Sequence, residues 1–192
     1  MTKFLVLIIG TFLLMGCNRQ NSEIGSVTYN IILSEKNPTP MSERDSFLIP
    51  GKINTLLVKN LNEPLKSLTA LYSAQIGSYC DHGYCDLTTA LGLGKQGSEK
   101  QKRLIDKYFQ GDKLAEFLIN QECALGQDGS SFYTDFIYLN YILIGDTVKV
   151  NYSYAYFSPE DEGVVEKTDI YLYQDNCFEK LQRDDKWINC CD

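Results

Sequence analysis

Cysteine is the residue type with the most potential for chemistry in this chain, which has 192 residues, seven cysteines and one histidine. Cys80 and Cys85 flank His82, so this segment could offer two thiolates and an imidazole to a zinc ion. The Cys-x4-Cys spacing lies at the edge of what zinc sites use, and no second ligand pair follows at a similar spacing. We therefore predict no metal and no other cofactor. Disulfide bonds are the alternative use of these thiols, and that choice depends on where the protein is located.

Gly92, Gly94 and Gly97 match the Gly-x-Gly-x-x-Gly pattern of a dinucleotide-binding loop, and a predicted helix follows them. That loop also requires a buried strand before it and a βαβ unit around it, and the sequence predicts neither. Catalytic sets are equally incomplete, because there is no Gly-x-Ser-x-Gly segment and one histidine in a small loop is more often structural. The sequence therefore favours a protein without enzymatic activity.

The first 17 residues follow the pattern of an export signal. Lys3 precedes the apolar segment Phe4–Met15, whose 12 residues are too few to span a bilayer, a span that takes about 20. The segment ends in Leu14-Met15-Gly16-Cys17, which resembles the lipobox where a bacterial lipoprotein signal is cut before a lipid-modified cysteine. The resemblance implies a signal peptide over residues 1–16 and an acylated, palmitate-bearing Cys17 as the mature N-terminus.

The same resemblance implies an address in the bacterial cell envelope, with the lipid bilayer as a partner through the acyl chains. Asp after the lipidated cysteine tends to retain such proteins on the inner membrane. Asn18 occupies that place here, which favours the outer membrane, at either its periplasmic or its surface face. Residues 17–23 are predicted to be a flexible lipidated tether and residues 24–192 one globular domain.

An envelope location favours disulfide bonds over a zinc site. We expect Cys80 to pair with Cys85 and Cys177 to pair with Cys190 or Cys191. The six disulfide candidates are Cys80, Cys85, Cys123, Cys177, Cys190 and Cys191.

The hydrophobic period changes along the chain and predicts an α+β fold. N-terminal strands are expected over residues 27–33, 47–49 and 53–58, the last two around a turn at Pro50-Gly51. Asn62, Ser98 and Asp112 are suited to cap three central helices. A C-terminal antiparallel β-meander is expected over residues 136–144, 148–157, 168–173, 177–183 and 186–189. This order would suit a curved sheet around helices, as in the cone-shaped NTF2-like fold, an analogy at the level of the fold alone.

Charge and tyrosine content suggest a function for that meander. Residues 128–192 contain 13 acidic and 5 basic side chains, and eight of the 13 tyrosines lie between Tyr133 and Tyr173. An acidic surface argues against nucleic acid and favours a cationic partner. We therefore expect a non-enzymatic binding protein, similar to an immunity protein, that contacts a cationic protein through this sheet. The expected binding residues are Tyr152, Tyr154, Tyr156, Tyr171, Tyr173, Glu160, Asp161 and Glu162. A small ligand in a cavity between the sheet and the helices is the alternative.

Overall fold

The described part of the chain contains eight strands and five helices. The computed structural model describes residues 25–35, 51–76, 80–81, 84–120, 133–158 and 160–182. The strands are β1 (Ser26–Leu33), β2 (Lys52–Ile53), β3 (Cys80–Asp81), β4 (Tyr84–Cys85), β5 (Tyr133–Ile144), β6 (Thr147–Phe157), β7 (Glu162–Gln174) and β8 (Cys177–Gln182). The helices are α1 (Thr55–Asn60), α2 (Glu63–Gln75), α3 (Asp86–Ala90), α4 (Glu99–Tyr108) and α5 (Lys113–Leu118).

Six strands form one antiparallel sheet in the order β2-β1-β5-β6-β7-β8. The last four strands follow one another in space as they do in sequence, because short turns join β5 to β6 and β7 to β8. The second of these turns holds Asp175 and Asn176 at φ 52° and 61°, as a type I′ hairpin turn requires. The predicted α+β class and C-terminal meander are confirmed, while the predicted strand over residues 186–189 lies outside the described residues.

The helices pack on one face of this sheet, which we call the inner face. Four helices begin at a residue whose side chain accepts a backbone N–H, namely Asn54, Asn62, Ser98 and Asp112. The last three are the predicted cap residues. The central helix is α2, in which every residue from Ser67 to Gln75 is buried. It packs on inward-facing side chains of β5, β6 and β7, namely Phe136, Leu139, Tyr141, Val148, Val150, Tyr152 and Tyr171.

Two N-terminal predictions differ from the structure. Residues 53–58 were expected to continue as a strand, but β2 ends at Ile53 and α1 follows. The side chain of Asn54 accepts the N–H of Leu57 at 3.2 Å and so begins the helix. In β1, strict alternation would place Leu33 on the same face as Ile31. A register shift between Asn30 and Ile32 instead buries both isoleucines and leaves Leu33 exposed.

A pair of antiparallel two-residue strands, β3 and β4, lies between α2 and α3 in the chain. Its register makes Cys80 and Cys85 direct partners, and directly opposed residues in antiparallel strands have Cα atoms about 4.5–5.5 Å apart, within the range of a disulfide. The Cys80–Cys85 bond is compatible with this register and stays a prediction. Cys123, Cys190, Cys191 and His82 lie outside the described residues, and Cys177 forms no disulfide within them.

Candidate functional site

The five tyrosines expected on one contact surface lie in three different places. Tyr152 and Tyr171 are 2% and 3% exposed, so they belong to the core and are not available to a partner. Tyr154 and Tyr156 lie further along β6, near the turn into β7, and are half-buried. Tyr173 is near the opposite end of β7, where its ring lies 4.8 Å from that of Phe178.

Tyr152 and Tyr171 belong to a buried polar group that we call the Asp169 cluster: Tyr72, Tyr152, Asp169, Tyr171 and Lys180. The hydroxyls of Tyr72 and Tyr152 both donate to Oδ2 of Asp169, the second at 3.3 Å. Lys180 Nζ lies 2.8 Å from Oδ1 of the same carboxylate. The hydroxyl of Tyr171 lies 3.4 Å from that of Tyr72. The cluster therefore joins α2 to three neighbouring strands.

The electrostatics of the Asp169 cluster favour a structural role. Burial is the largest cause that raises the pKa of Tyr72, Tyr152 and Tyr171, and the negative charge of Asp169 raises it further. The phenols therefore stay protonated near neutral pH and act as hydrogen-bond donors. With Lys180 beside it, the Asp169 carboxylate has the paired and hydrogen-bonded surroundings that a buried charge needs.

Sequence reasoning missed this cluster, although part of the signal was visible. Asp169 lies two residues before Tyr171 in an alternating segment, so both side chains must face the same side of the strand. An acidic residue at an inward position of a strand requires a buried partner. The partners come from α2 and β8, and local periodicity does not indicate which elements will pack there.

The turn between β6 and β7 brings the other expected residues together, and we call this group the hairpin tip: Tyr154, Tyr156, Glu160, Asp161 and Glu162. All three acidic side chains are exposed. The hydroxyl of Tyr156 donates to Oδ2 of Asp161 at 2.9 Å, and this hydrogen bond raises the pKa of Tyr156. The ring of Tyr154 stacks on that of Tyr152, with centroids 6.3 Å apart and an interplanar angle of 13°.

Backbone contacts hold the hairpin tip in a defined shape. Ser158 N–H donates to the carbonyl of Asp161 at 2.8 Å, and the Ser158 hydroxyl accepts the N–H of Asp161 at 2.9 Å. Gly163 lies opposite Tyr156, and a Cβ on it would come within 2.9 Å of the Tyr156 ring. The ring thus lies flat over the neighbouring strand, and glycine is the residue that leaves room for it.

Charge is unevenly distributed between the two layers of the fold. The described part of the sheet from residue 133 to residue 182 contains three basic and nine acidic side chains, a net charge of −6. The helical segments, residues 51–76 and 84–120, contain nine basic and six acidic side chains, a net charge of +3. The acidic character predicted for the last third of the chain thus belongs to one layer.

The remaining candidate motifs lie in the helical layer. The segment with Gly92, Gly94 and Gly97 joins α3 to α4, and all three glycines have positive φ. A helix and not a strand precedes it, which is the wrong context for a dinucleotide-binding loop. In the described residues no group of three or more His, Cys, Asp or Glu side chains is arranged to hold a metal ion. None of the described helices is long and apolar enough to cross a membrane.

Comparison of the chain with protein-family models, with curated proteins and with solved structures finds no match in any of the three.

Proposed function

We propose that this protein is a lipid-anchored protein of the bacterial envelope, without enzymatic activity, that binds a cationic protein through the hairpin tip. A role like that of an immunity protein would suit such a binder. The observation that carries the proposal is the geometry of the tip, where three exposed carboxylates stand beside two half-buried tyrosines in a turn closed by its own hydrogen bonds.

The charges of the tip would act mainly on the rate of association. Glu160, Asp161 and Glu162 are consecutive and exposed. They belong to the sheet layer, which is net negative, whereas the helical layer is net positive. A concentrated field of one sign attracts a partner of the opposite sign and speeds its encounter. The same field repels nucleic acid and acidic proteins.

The tyrosines of the tip would act mainly on the lifetime of the complex. Tyr154 is held by stacking on Tyr152, and Tyr156 by Asp161 and by the strand under its ring. Fixed rings lose little conformational entropy when a partner covers them. Tyrosine is also a frequent hot-spot residue in protein interfaces because its ring buries apolar area while its hydroxyl keeps a polar contact.

Packing on the inner face supports this proposal over a ligand cavity between sheet and helices. The ring of Tyr72 contacts Tyr152 and Tyr171 edge-on, with centroids 5.0 Å and 6.4 Å apart, and Phe109 contacts Tyr171 at 6.2 Å. These rings contact one another between α2, the C-terminal end of α4 and the middle of the sheet. A small ligand remains the second proposal and would have to bind away from this region.

The anchor is proposed from the lipobox-type segment Leu14–Cys17 alone, and the outer membrane from Asn18. An acylated Cys17 would be followed by a tether and then by β1. β1 begins opposite Ile144 at one end of β5, whereas the hairpin tip adjoins Tyr133 at the other end, so the anchor would leave the residues of the tip available to a partner.

Site-specific photocross-linking in cells tests the proposed binding surface. A photoreactive phenylalanine analogue replaces Tyr156 at the tip, and the matched control replaces Tyr173, another half-buried tyrosine of the same sheet face. We expect a protein of net positive charge to be cross-linked at position 156 and not at 173. Adding Glu160→Lys and Glu162→Lys should abolish that product. Equal cross-linking at both positions, or an acidic captured protein, would contradict the proposal.

A further inference from the structure

The first part of β1 is an open edge of the sheet, which we call the β1 edge: Ser26–Asn30. Among the described residues, β2 pairs only with Ile32 and Leu33, and the N–H of Asn54 donates to the carbonyl of Ile31 at 2.9 Å. In this part of the chain, residues 26–30 pair with β5 and with no other described strand. Half of the backbone groups of such a strand point away from its neighbour, and they need water or another strand as a partner.

The two edges of the sheet differ in charge. Sheet edges are commonly protected by charged side chains, which oppose the addition of another strand. Within the described residues β8 is the opposite edge and carries the exposed Glu179, whereas all eight residues of β1 are uncharged. By this criterion, the β8 edge is protected and the β1 edge is suited to pairing.

Exposed apolar side chains lie along β1 and beside it. Of the seven large hydrophobic side chains that are exposed in the described part of the chain, four lie on β1 or next to it. Val27, which is 53% exposed, lies in the β1 edge, and Ile144 is the β5 partner of Ser26, whereas Leu33 lies in the part of β1 that pairs with β2. Leu56, which is 74% exposed, lies in α1, which packs against β1. Apolar side chains grouped beside an open edge are typical of a protein interface.

We infer that the β1 edge pairs with the β1 edge of a second copy of this chain. The two strands would run antiparallel about a two-fold axis near Thr28, the middle of the open stretch, and join both sheets into one. In a two-fold contact the residue at the axis meets its own copy, and every other pair of contacting residues occurs twice. Like charges would oppose that pairing, and this strand carries none. A cationic partner would find no complementary charge here.

This dimer is independent of the proposed partner binding. Ser26 lies opposite Ile144 at one end of β5, whereas the hairpin tip adjoins Tyr133 at the other end, so both contacts can form at once. The proposed lipidation of Cys17 would favour the dimer. β1 begins nine residues after Cys17, so two anchored copies would hold their β1 edges at similar heights above one membrane, which raises their effective concentration.

The molecular mass of the full chain, purified in a density-matched non-ionic detergent and measured by sedimentation equilibrium, tests the dimer. The wild-type protein should have the mass of two chains. Thr28→Glu, at an exposed position, should reduce it to one chain because two carboxylates meet at the axis. Leu181→Glu places the same charge on the exposed β8 edge and should leave the two-chain mass unchanged. A wild-type mass of one chain, or a Thr28→Glu protein that stays at two, would overturn the inference.

A charge-rescue experiment separates lost pairing from lost folding. Thr28→Glu and Thr28→Lys are each expected to have the mass of one chain, and an equimolar mixture should regain the mass of two because opposite charges then meet. Circular dichroism of each variant should match that of the wild type. A mixture that keeps the mass of one chain would overturn the inference. Cross-linking at position 156 tests the proposed function and does not depend on that outcome.

Discussion

A single buried carboxylate, Asp169 of β7, connects helix α2 to the neighbouring strands β6 and β8. Its donors come from α2, β6 and β8, and it is 1% exposed. A buried charge with complete pairing adds little net stability compared with apolar residues of the same shape, yet the loss of one partner is costly because the other charge stays buried alone. The cluster should therefore behave as a unit under mutation.

Asp169→Leu should lower the free energy of unfolding by about 3–5 kcal/mol, because the ammonium of Lys180 would remain buried without its counter-charge. Adding Lys180→Met to the same protein should recover a large part of that loss. Urea denaturation of the two variants and the wild type measures both effects. A double variant as unstable as the single one would show that the ion pair is not the reason for the loss.

The buried phenols predict how stability changes at high pH. Burial raises the pKa of Tyr72, Tyr141, Tyr152 and Tyr171 above 10 in the folded protein, whereas the unfolded chain has ordinary values near 10. The unfolded state therefore loses protons first, so the stability from these groups is complete below about pH 10 and decreases as the pH rises above it. Phenolate absorbance should show these four buried tyrosines ionising only as circular dichroism reports unfolding. Ionisation of all tyrosines before unfolding would contradict this.

Among the elements, one close backbone approach brings Gly51, just before β2, against β5. Gly51 N–H donates to the carbonyl of Phe136 at 2.7 Å. A Cβ on Gly51 would lie 2.2 Å from the carbonyl oxygen of Ile137, a backbone atom that has little room to move. This contact lies where β5 has its register shift, between Phe136 and Tyr138.

Gly51→Ala should therefore lower the free energy of unfolding by about 1–3 kcal/mol, the usual range for overpacking. Gly25→Ala is the matched control, since a Cβ at Gly25 meets no atom within 4 Å, and it should change stability little. Chemical denaturation of the two variants gives the comparison. Equal effects would mean that the close approach at Gly51 is relieved at no cost.

Elements with strong local signals were predicted well from the sequence, and those that depend on tertiary contacts were not. The alternation in β6 and the caps at Asn62 and Ser98 are local, and the structure confirms them. α1 was missed because its apolar residues also suit a strand, and only the cap at Asn54 separates the two. Alternation places Tyr152 and Tyr154 on the same face of β6, where their rings stack, but it does not say where the covering helices end. One ring is therefore buried and the next half-buried.

The whole molecule combines an anchor predicted from sequence with an acidic layer seen in the structure. We expect Cys17 to be the acylated N-terminus. Intact mass after membrane extraction should lack residues 1–16 and include added lipid, and Cys17→Ser should release the protein from membranes. A Cys17→Ser protein that remains bound to membranes to the same extent would show that another segment anchors it.

Association kinetics test whether the hairpin tip recognises a cationic protein. The partner captured through position 156 is purified, and its association and dissociation rates are measured over a range of salt concentrations. Glu160→Lys with Glu162→Lys is compared with Asp106→Lys with Glu116→Lys. The second pair makes the same change in net charge at exposed positions of α4 and α5.

At low salt, the change at the tip should slow association by about tenfold and flatten its salt dependence, while the helical pair should have a much smaller effect. Tyr156→Ala should mainly speed dissociation. Equal slowing by both pairs would assign the effect to net charge alone. An association rate that no tip variant changes would contradict the assignment of this surface.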